Sequence, residues 1–489
     1  MARALLVAAA AILSAACGRA DRPNILLIVV DTARADRFTT NGYARDTTPA
    51  IEALGRDGAV YLRAYASSPW TLPSHASLFT GLHPSSHGAD SGHLRLDEDL
   101  PLLARRLHAA GYRTLAYVEN PWVGKDYNFH LGFDTFEEVW RGVRGTEGDM
   151  GAGAVSEKTE RWLSWRAQNE DARGQPFFLF MNYFEPHLPY NPPEPERARF
   201  LARGGAPAGG ESGAVDPADV ERLRRFKHPE EVRQILGAGS LSPADFRLLS
   251  DLYDGEIAYV DRRIGEVVHS LRRHGLLDQT VVVVTSDHGE MLGEHGFMDH
   301  KFTLYEPVLR IPLILRYPRA IPAGQRLETP VLLLDLYPTL LGLAGIRDVA
   351  GRVGTGGAEW PPEALALPGV GGLGAAAGHG RSEEGPLIAE FARPGEFLEV
   401  MRALVPGLDL TPWDRTLVAF RVGETKLIWG SDGRHQLFDL DADPAEATDL
   451  APRGAAGTSN LTRRAEGWLK RPAARPPYAV PGVHDRIVR

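Results

Sequence analysis

Cysteine and lysine are scarce in this chain. One of the 489 residues is Cys, and only six of the 54 basic residues are Lys. A single Cys excludes an internal disulfide and a zinc cluster built from cysteines. Because Lys is so rare, a lysine that falls inside a motif is more informative here than an arginine.

Long apolar runs are also missing, since no segment reaches the roughly 20 apolar residues that a membrane-spanning helix needs. The composition, with 43% hydrophobic and 8% aromatic residues, excludes a disordered chain and a collagen and allows a sizeable core. The formal net charge of −9 disfavours non-specific binding to nucleic acid, so we expect no nucleic-acid partner.

The N-terminus has the pattern of an export signal. Arg3 precedes a short apolar stretch at residues 4–13, and small residues then lead to Cys17. Small residues before a Cys resemble the bacterial lipobox. This predicts a signal peptide and lipobox at residues 1–17, lipidation of Cys17, and an exported bacterial lipoprotein, periplasmic or held at the membrane only by this anchor. The alternative is an ordinary signal peptide that is cleaved nearby, with an incidental Cys17.

Apolar β-rich runs alternate with helical patterns after this leader. We predict strands at residues 24–30, 113–118, 176–183, 280–285 and 310–315. We predict helices at residues 48–55, 100–111 and 332–343, and one or two helices at 245–274. Such alternation favours an α/β fold whose parallel or mixed sheet is covered on both faces.

Two stretches break the alternation. Residues 204–217 have the composition of a flexible surface loop, and residues 347–385, rich in Gly, Ala and Pro, that of an insertion or linker. Short strand patterns follow at residues 387–391, 416–421, 426–429 and 436–440. The sequence therefore predicts a large α/β domain at residues 23–346 and a small antiparallel subdomain at residues 386–489.

Polar side chains follow three of the predicted strands. Asp31 ends the first, His187 follows the strand at 176–183, and Asp287 and His288 follow the strand at 280–285. Taken singly, each residue could serve a turn or a loop. Ligands of open α/β sheets bind beyond the carboxyl ends of the strands, so we expect these side chains to meet there. Carboxylates and imidazole together suit Zn²⁺, Mn²⁺ or a related cation.

The segment SPWTLPSHASLFTG at residues 68–81 predicts a short helix that begins near Pro73 and ends at Gly81. Thr71 would lie just before its N-terminus, where free amides and the positive end of the dipole attract anions. A hydroxyl there is either a helix cap or a nucleophile that faces a bound oxyanion.

Six segments, in this order, resemble the sulfatase family of the alkaline phosphatase superfamily. They are PNILLIVVDTARAD, SPWTLPSHASLFTGLHP, YFEPHLPY, TSDHGEMLGEHG, HKFTLYEPVLRIPLIL and LFDLDADPAE. The resemblance implies an α/β/α sandwich with a small C-terminal antiparallel sheet and a sulfatase-like catalytic domain at residues 23–346. It also implies hydrolysis or transfer of sulfate or phosphate esters with a divalent cation, Ca²⁺, Mg²⁺, Mn²⁺ or Zn²⁺.

The resemblance also implies roles for individual residues. The implied metal ligands are Asp31, Thr71, Asp287 and His288. The implied nucleophile is Thr71. His187 and Lys301 fall at positions that contact the ester oxygens or protonate the leaving group. His75 stands in place of the family's catalytic arginine. A further group near the same loops comprises Thr32, His295 and His300.

Thr71 departs from the family's pattern. Sulfatases oxidise a Cys or Ser at this position to formylglycine, whose hydrate offers a second hydroxyl to expel sulfate. Threonine has no second hydroxyl, so Thr71 would attack as a metal-bound alkoxide, and water or an alcohol would cleave the resulting ester. The alternatives are thus a phosphodiesterase or a phosphoethanolamine- or phosphoglycerol-type transferase acting on envelope lipids or glycans, and a non-catalytic binding lipoprotein.

Overall fold

A computed structural model of the chain describes residues 22–142, 149–201, 216–226, 230–346, 363–371, 373, 381, 385–453 and 458–470. The predicted leader with Cys17, the predicted loop up to residue 215 and most of the stretch at 347–385 lie outside these residues, and the expectations for them stay predictions. Among the residues described, no helix is both long and apolar enough to cross a membrane.

An eight-stranded sheet forms the centre of the fold. Its strands, in spatial order, are Gln325–Leu327 (β12), Ala59–Tyr61 (β2), Leu313–Arg316 (β11), Thr280–Thr285 (β7), Asn24–Val30 (β1), Phe177–Tyr183 (β6), Arg113–Val118 (β4) and Thr135–Glu138 (β5). The five strands from β7 to β5 are parallel, and β11 runs antiparallel to β7. The parallel strands therefore all end at the same edge.

Helices cover both faces of this sheet, because the side chains of the buried strands alternate between two cores. One core contains Leu27 of β1, and the other contains Ile28. The helices that contribute to the first core include Thr71–Thr80 (α2), Leu103–Ala109 (α4) and Leu336–Leu343 (α12). Those of the second are Pro49–Arg56 (α1), Ala152–Gln168 (α5), Pro217–Arg224 (α8) and Pro243–Arg273 (α10). The arrangement is the predicted α/β/α sandwich.

Shorter elements complete the large domain. The remaining helices are Pro84–His87 (α3), Glu170–Arg173 (α6), Glu196–Leu201 (α7), Glu230–Ile235 (α9) and Glu306–Leu309 (α11). The remaining strands are Ala64–Tyr65 (β3), Met291–Leu292 (β8), Met298–Asp299 (β9), Arg310–Ile311 (β10) and Val331–Leu332 (β13). Strands β10, β3 and β13 form one small sheet, and β8 pairs with β9.

The C-terminal part contains the predicted antiparallel sheet. Its strands, in both chain and spatial order, are Leu387–Phe391 (β14), Leu417–Val422 (β15), Thr425–Gly430 (β16) and Gln436–Asp439 (β17). Two further helices, Glu396–Leu404 (α13) and Thr458–Leu469 (α14), accompany it. Strand β14 contacts the large domain directly: the Glu390 amide donates to the Ser67 carbonyl at 2.9 Å, and the Ser68 hydroxyl donates to the Glu390 carbonyl at 2.9 Å.

Buried ion pairs also join the two parts. Lys426 of β16 is 1% exposed, and its ammonium lies 3.0 Å from a carboxylate oxygen of Glu306 and 2.8 Å from one of Glu446. The second oxygen of Glu306 lies 3.2 Å from Arg421, and the amide of Glu306 donates to Glu446. The charges of the two acids are thus balanced inside the protein.

The element boundaries differ from the predicted ones where proline or a capping residue intervenes. The strand predicted at 310–315 is divided at Pro312, so β10 pairs with β3 while β11 joins the central sheet. The helix predicted at 332–343 begins only at Leu336, after a short strand and a 3-10 turn. The segment predicted as one or two helices is the single helix α10, which Ser242 and Asp245 cap reciprocally.

Candidate active site

Asp31, Asp287 and His288 meet at the carboxyl edge of the sheet. Asp31 directly follows β1, and the other two follow β7, the strand beside it. One ligand atom from each side chain lies within 4.8 Å of the other two, and all three residues are buried. The parallel pairing of two adjacent strands therefore brings together three of the four residues that the sequence proposes as metal ligands.

One carboxylate oxygen of each aspartate in this cluster lacks a hydrogen-bond donor. Within the described part of the chain, Asp31 Oδ1 and Asp287 Oδ2 have no hydrogen-bond partner. His288 Nδ1 lies 3.0 Å from the Gly289 carbonyl, so we assign the proton to Nδ1, and the Nε2 lone pair faces Asp287 Oδ2 at 3.3 Å. Burial and the charge of Asp287 raise the pKa of Asp31. Three converging electron-pair donors in a buried space fit a divalent cation.

Thr71 is the first residue of α2, not the residue before it, because Trp70 takes the cap position. Its Oγ1 lies 3.4 Å from Nε2 of His288, and the residue is 2% exposed. The amides in the first turn of a helix have no intrahelical acceptor, and the dipole is positive at that end. An anion bound at this end of α2 would lie beside the Thr71 hydroxyl, as nucleophilic attack requires.

Asn120 is a site residue that the sequence reasoning missed. Its side-chain amide donates to Asp31 Oδ2 and lies 3.3 Å from Thr71 Oγ1. Its backbone N–H donates to Asn182 Oδ1 at 2.9 Å. Asn120 comes two residues after β4, so its position beyond a strand end was a readable signal, as for Asp31. It was missed because an Asn followed by a Pro, here Asn120 and Pro121, is typical of a turn.

His75 lies one turn along α2, in the interior of the protein. Its Nδ1 is 3.0 Å from the Thr71 carbonyl and 3.3 Å from Asp287 Oδ2, and its side chain is fully buried. The Ser74 hydroxyl donates to the Asp287 carbonyl at 2.6 Å. Both residues therefore hold the Asp287 segment. This place favours a role for His75 in orienting the Asp287 carboxylate.

A second buried group adjoins the first. Glu290, Asp299 and His300 also present ligand atoms within 4.8 Å of one another, and the His300 ring centroid lies 4.3 Å from that of His288. Lys301 Nζ lies 3.1 Å from Asp299 Oδ2. Burial alone would lower the pKa of Lys301, but Asp299 raises it, so the ammonium stays charged. The sequence reasoning named His300 and Lys301 and missed the two acids, because the loop after β7 has no periodic pattern.

His187 stands at the more open side of these groups. Its ring stacks on Phe184 and lies 5.3 Å from the His300 ring, and the residue is half-buried. Nδ1 lies 2.9 Å from the Leu188 carbonyl, so we assign the proton there and a lone pair to Nε2. Burial and the neighbouring Lys301 lower the pKa of His187 to about 4. At neutral pH the imidazole is thus a proton acceptor, which suits a general base better than an acid.

The other two residues of the predicted further group have different places. The Thr32 amide lies 3.3 Å from Asp287 Oδ1, and its backbone has a φ of 52°, so this residue shapes the turn that presents Asp31. His295 is exposed, stacks on Tyr305 at 4.0 Å and interacts with Asp443 of the C-terminal part. The structure therefore brings Thr32 and His300 to the two buried groups and leaves His295 outside them.

The fold and the site define a class: an alkaline phosphatase-like α/β/α protein with acidic and histidine groups positioned for a metal beside a helix N-terminus. A family model described as Sulfatase matches residues 23–346, and the chain belongs to the sulfatase family. It is a sulfatase-like ester hydrolase.

Several known proteins are similar to this chain. A choline-sulfatase of Rhizobium meliloti is 28% identical, with 91% of this chain and 87% of that protein covered. An arylsulfatase K of Xenopus laevis is 27% identical, over 67% of this chain and 64% of the relative. A solved phosphonate monoester hydrolase of Agrobacterium radiobacter has 22% identity and a TM-score of 0.65, with 92% and 95% of the chains covered. A solved 2-O GAG sulfatase has 18% identity and a TM-score of 0.66, with 92% of both chains covered. At these sequence identities, the similarity to the two solved structures supports the fold alone.

Proposed function

We propose that the protein is a metal-dependent hydrolase of sulfuric or phosphoric esters in which Thr71 is the covalent nucleophile. The observation that carries the proposal is the position of Thr71 Oγ1, at a helix N-terminus and 3.4 Å from Nε2 of His288. The relatives named choline-sulfatase and arylsulfatase K support sulfate esters. The threonine itself favours phosphorus, because its ester must be cleaved without the second hydroxyl that formylglycine provides.

A divalent cation held by Asp31, Asp287 and His288 would lower the pKa of the Thr71 hydroxyl. Thr71 Oγ1 forms a bond to sulfur or phosphorus while the bond to the leaving oxygen breaks, and the proton of the Thr71 hydroxyl ends on the departing alcohol. The amides of the first turn of α2 and the ammonium of Lys301 balance the charge on the remaining ester oxygens. These groups thus stabilise charge that grows during the attack.

A water molecule then cleaves the threonyl ester. Nε2 of His187 accepts a proton from this water as its oxygen bonds to sulfur or phosphorus. The bond to Thr71 Oγ1 breaks, the proton is returned to Oγ1, and sulfate or phosphate is released. Asn120, which contacts both Asp31 and Thr71, fixes the nucleophile relative to the carboxylate. The imidazole of His288 favours Mn²⁺ or Zn²⁺ over Ca²⁺ or Mg²⁺ as the cation.

A second candidate function is that of a phosphodiesterase or a phospho-group transferase acting on envelope lipids or glycans. The specific observation in its favour is again Thr71, since an acceptor alcohol can cleave its ester as well as water can. A non-catalytic binding protein is a weaker candidate, because binding alone gives no reason for Asn120 and His288 to surround a threonine hydroxyl.

The test is a comparison of the purified protein and its Thr71→Ala variant on p-nitrophenyl sulfate, p-nitrophenyl phosphate and bis(p-nitrophenyl) phosphate with defined metals. Thr80→Ala is a matched control, because Thr80 is a buried threonine at the far end of the same helix. Its hydroxyl donates to the Ala76 carbonyl and accepts from the Leu82 amide. We expect Thr71→Ala to lose at least 10³-fold in kcat and Thr80→Ala to keep activity.

Trapping with a substrate labelled in the transferred group, followed by mass spectrometry of the peptide that carries Thr71, identifies what the threonine accepts. A labelled phosphoryl or sulfuryl group on Thr71 supports the proposal. Unchanged turnover in Thr71→Ala contradicts it. Release of the labelled group onto glycerol in place of water would favour the transferase.

We also propose that the protein is exported and carries a lipid on Cys17, on the strength of its sequence alone. Incorporation of radiolabelled palmitate in a bacterial host, lost in Cys17→Ala, is the expected result. A secreted protein without label would support the ordinary signal peptide.

A further inference from the structure

Glu290 is a buried acid without a hydrogen-bond donor. It lies five residues beyond the end of β7, it is 0% exposed, and within the described part of the chain neither carboxylate oxygen has a hydrogen-bond partner. A carboxylate in such a place costs several kcal/mol unless an opposite charge approaches it. Most buried acids in proteins have donors, so an acid of this kind calls for a ligand.

The atoms around Glu290 converge as metal ligands do. His300 Nδ1 lies 3.4 Å from Glu290 Oε1 and 2.6 Å from Asp299 Oδ1, yet the contacts do not have the directions of hydrogen bonds, and Nδ1 counts among the buried atoms without a partner. Because Nδ1 has no hydrogen-bond partner, the imidazole can present a lone pair there towards both acids. All three residues are at most 2% exposed.

Lys301 is the competing cation. Its ammonium lies 3.1 Å from Asp299 Oδ2 and partly balances the negative charge of the three residues. However, Glu231 of α9 also approaches Asp299, and Glu290 adds a third carboxyl group to the same space. The ammonium donates to both oxygens of Asp299, at 3.1 and 3.4 Å, whereas Glu290 has no hydrogen-bond donor within the described part of the chain.

We propose that Glu290, Asp299 and His300 form a second divalent-cation site, distinct from the site of Asp31, Asp287 and His288. Two carboxylates and one imidazole suit Mn²⁺ or Zn²⁺. The ring contact between His288 and His300 makes the two sites neighbours, so a cation in each would lie on either side of these imidazoles. The proposal concerns metal content and does not depend on which ester the protein cleaves.

The test counts bound Mn²⁺ in the purified full chain by the loss of the free-ion signal in electron paramagnetic resonance. We expect two Mn²⁺ per chain, one in Glu290→Gln, one in Asp287→Asn, and none in the double variant. Glu294→Gln is a matched control on the same loop, because its carboxylate pairs with Arg34 at 2.7 Å, and it should retain two. Circular dichroism checks folding, and His300→Gln replaces Glu290→Gln if that variant does not fold.

Three results would overturn the proposal. The first is one Mn²⁺ at saturation in both the parent protein and Lys301→Gln. The second is two in both the parent and Glu290→Gln, which would place the second cation elsewhere. The third is one in the parent and two in Lys301→Gln, which would show that the ammonium occupies the group. If the proposal is right, Lys301→Gln binds two, as the parent does.

Discussion

Replacement of Lys426 by Met should weaken the attachment of the C-terminal sheet. The side chain is 1% exposed, and its ammonium contacts Glu306 at 3.0 Å and Glu446 at 2.8 Å. Methionine fills a similar volume but leaves two buried carboxylates with less positive charge. Glu306 keeps its ion pair with Arg421, so Glu446 is the acid that loses more of its compensating positive charge.

The distances set the size of the effect. Each contact near 3 Å amounts to about 5 kcal/mol of gross Coulomb energy at an effective dielectric constant of about 20. The cost of taking the ammonium out of water offsets much of this. We therefore expect Lys426→Met to lower the free energy of unfolding by about 3–5 kcal/mol, the range seen when one partner of a buried ion pair is removed.

Urea unfolding at pH 7, followed by tryptophan fluorescence, measures the loss. The double variant Lys426→Met/Glu446→Gln should recover about 1–3 kcal/mol of it, because glutamine removes the uncompensated charge. A loss below 1 kcal/mol in the single variant, or strict additivity in the double variant, would refute the reasoning.

Three further predictions concern the site. Gly289→Ala should abolish metal binding, measured by calorimetry, because a Cβ there would lie 2.0 Å from the Pro307 carbonyl oxygen and the loop after β7 would have to move; normal affinity would contradict this. Asn120→Ala should lower kcat about 10²-fold with little change in KM, since it removes a donor to Thr71. His187 is neutral above its pKa of about 4 and charged below it, so hydrolysis should fall as the pH drops through that value; His187→Gln should be slower by about 10²-fold or more and lack this acid limb in its pH–rate profile.

The strands of the fold and half of the site were predictable from the sequence. Runs such as NILLIVV are apolar on both faces, which is the pattern of a strand buried between two layers, and their ends locate Asp31, Asp287 and His288. The helix that begins with Thr71 follows from its proline, its glycine and its apolar spacing. These signals are local, so a single sequence carries them.

The missed residues depend on information that is not local. Asn120 reaches Thr71 only because β4 lies beside β6 and β6 beside β1, and no pattern within 113–120 encodes that strand order. Glu290 and Asp299 come from a loop whose path is set by two short paired strands and by Gly289 against Pro307. Pro312 divides one apolar run between two sheets, although proline in the run was a visible warning.

The hydrogen bond between Ser68 and Glu390 joins residues that are 322 positions apart. At ordinary rates of synthesis, tens of seconds separate the appearance of these two residues. The segment before Thr71 therefore lacks one of its supports until most of the chain exists. A nascent chain that stops near residue 346 would contain five of the six family-like segments, yet Ser68 would still lack its hydrogen bond to Glu390. The surroundings of Thr71 are therefore completed only late in the synthesis of the protein.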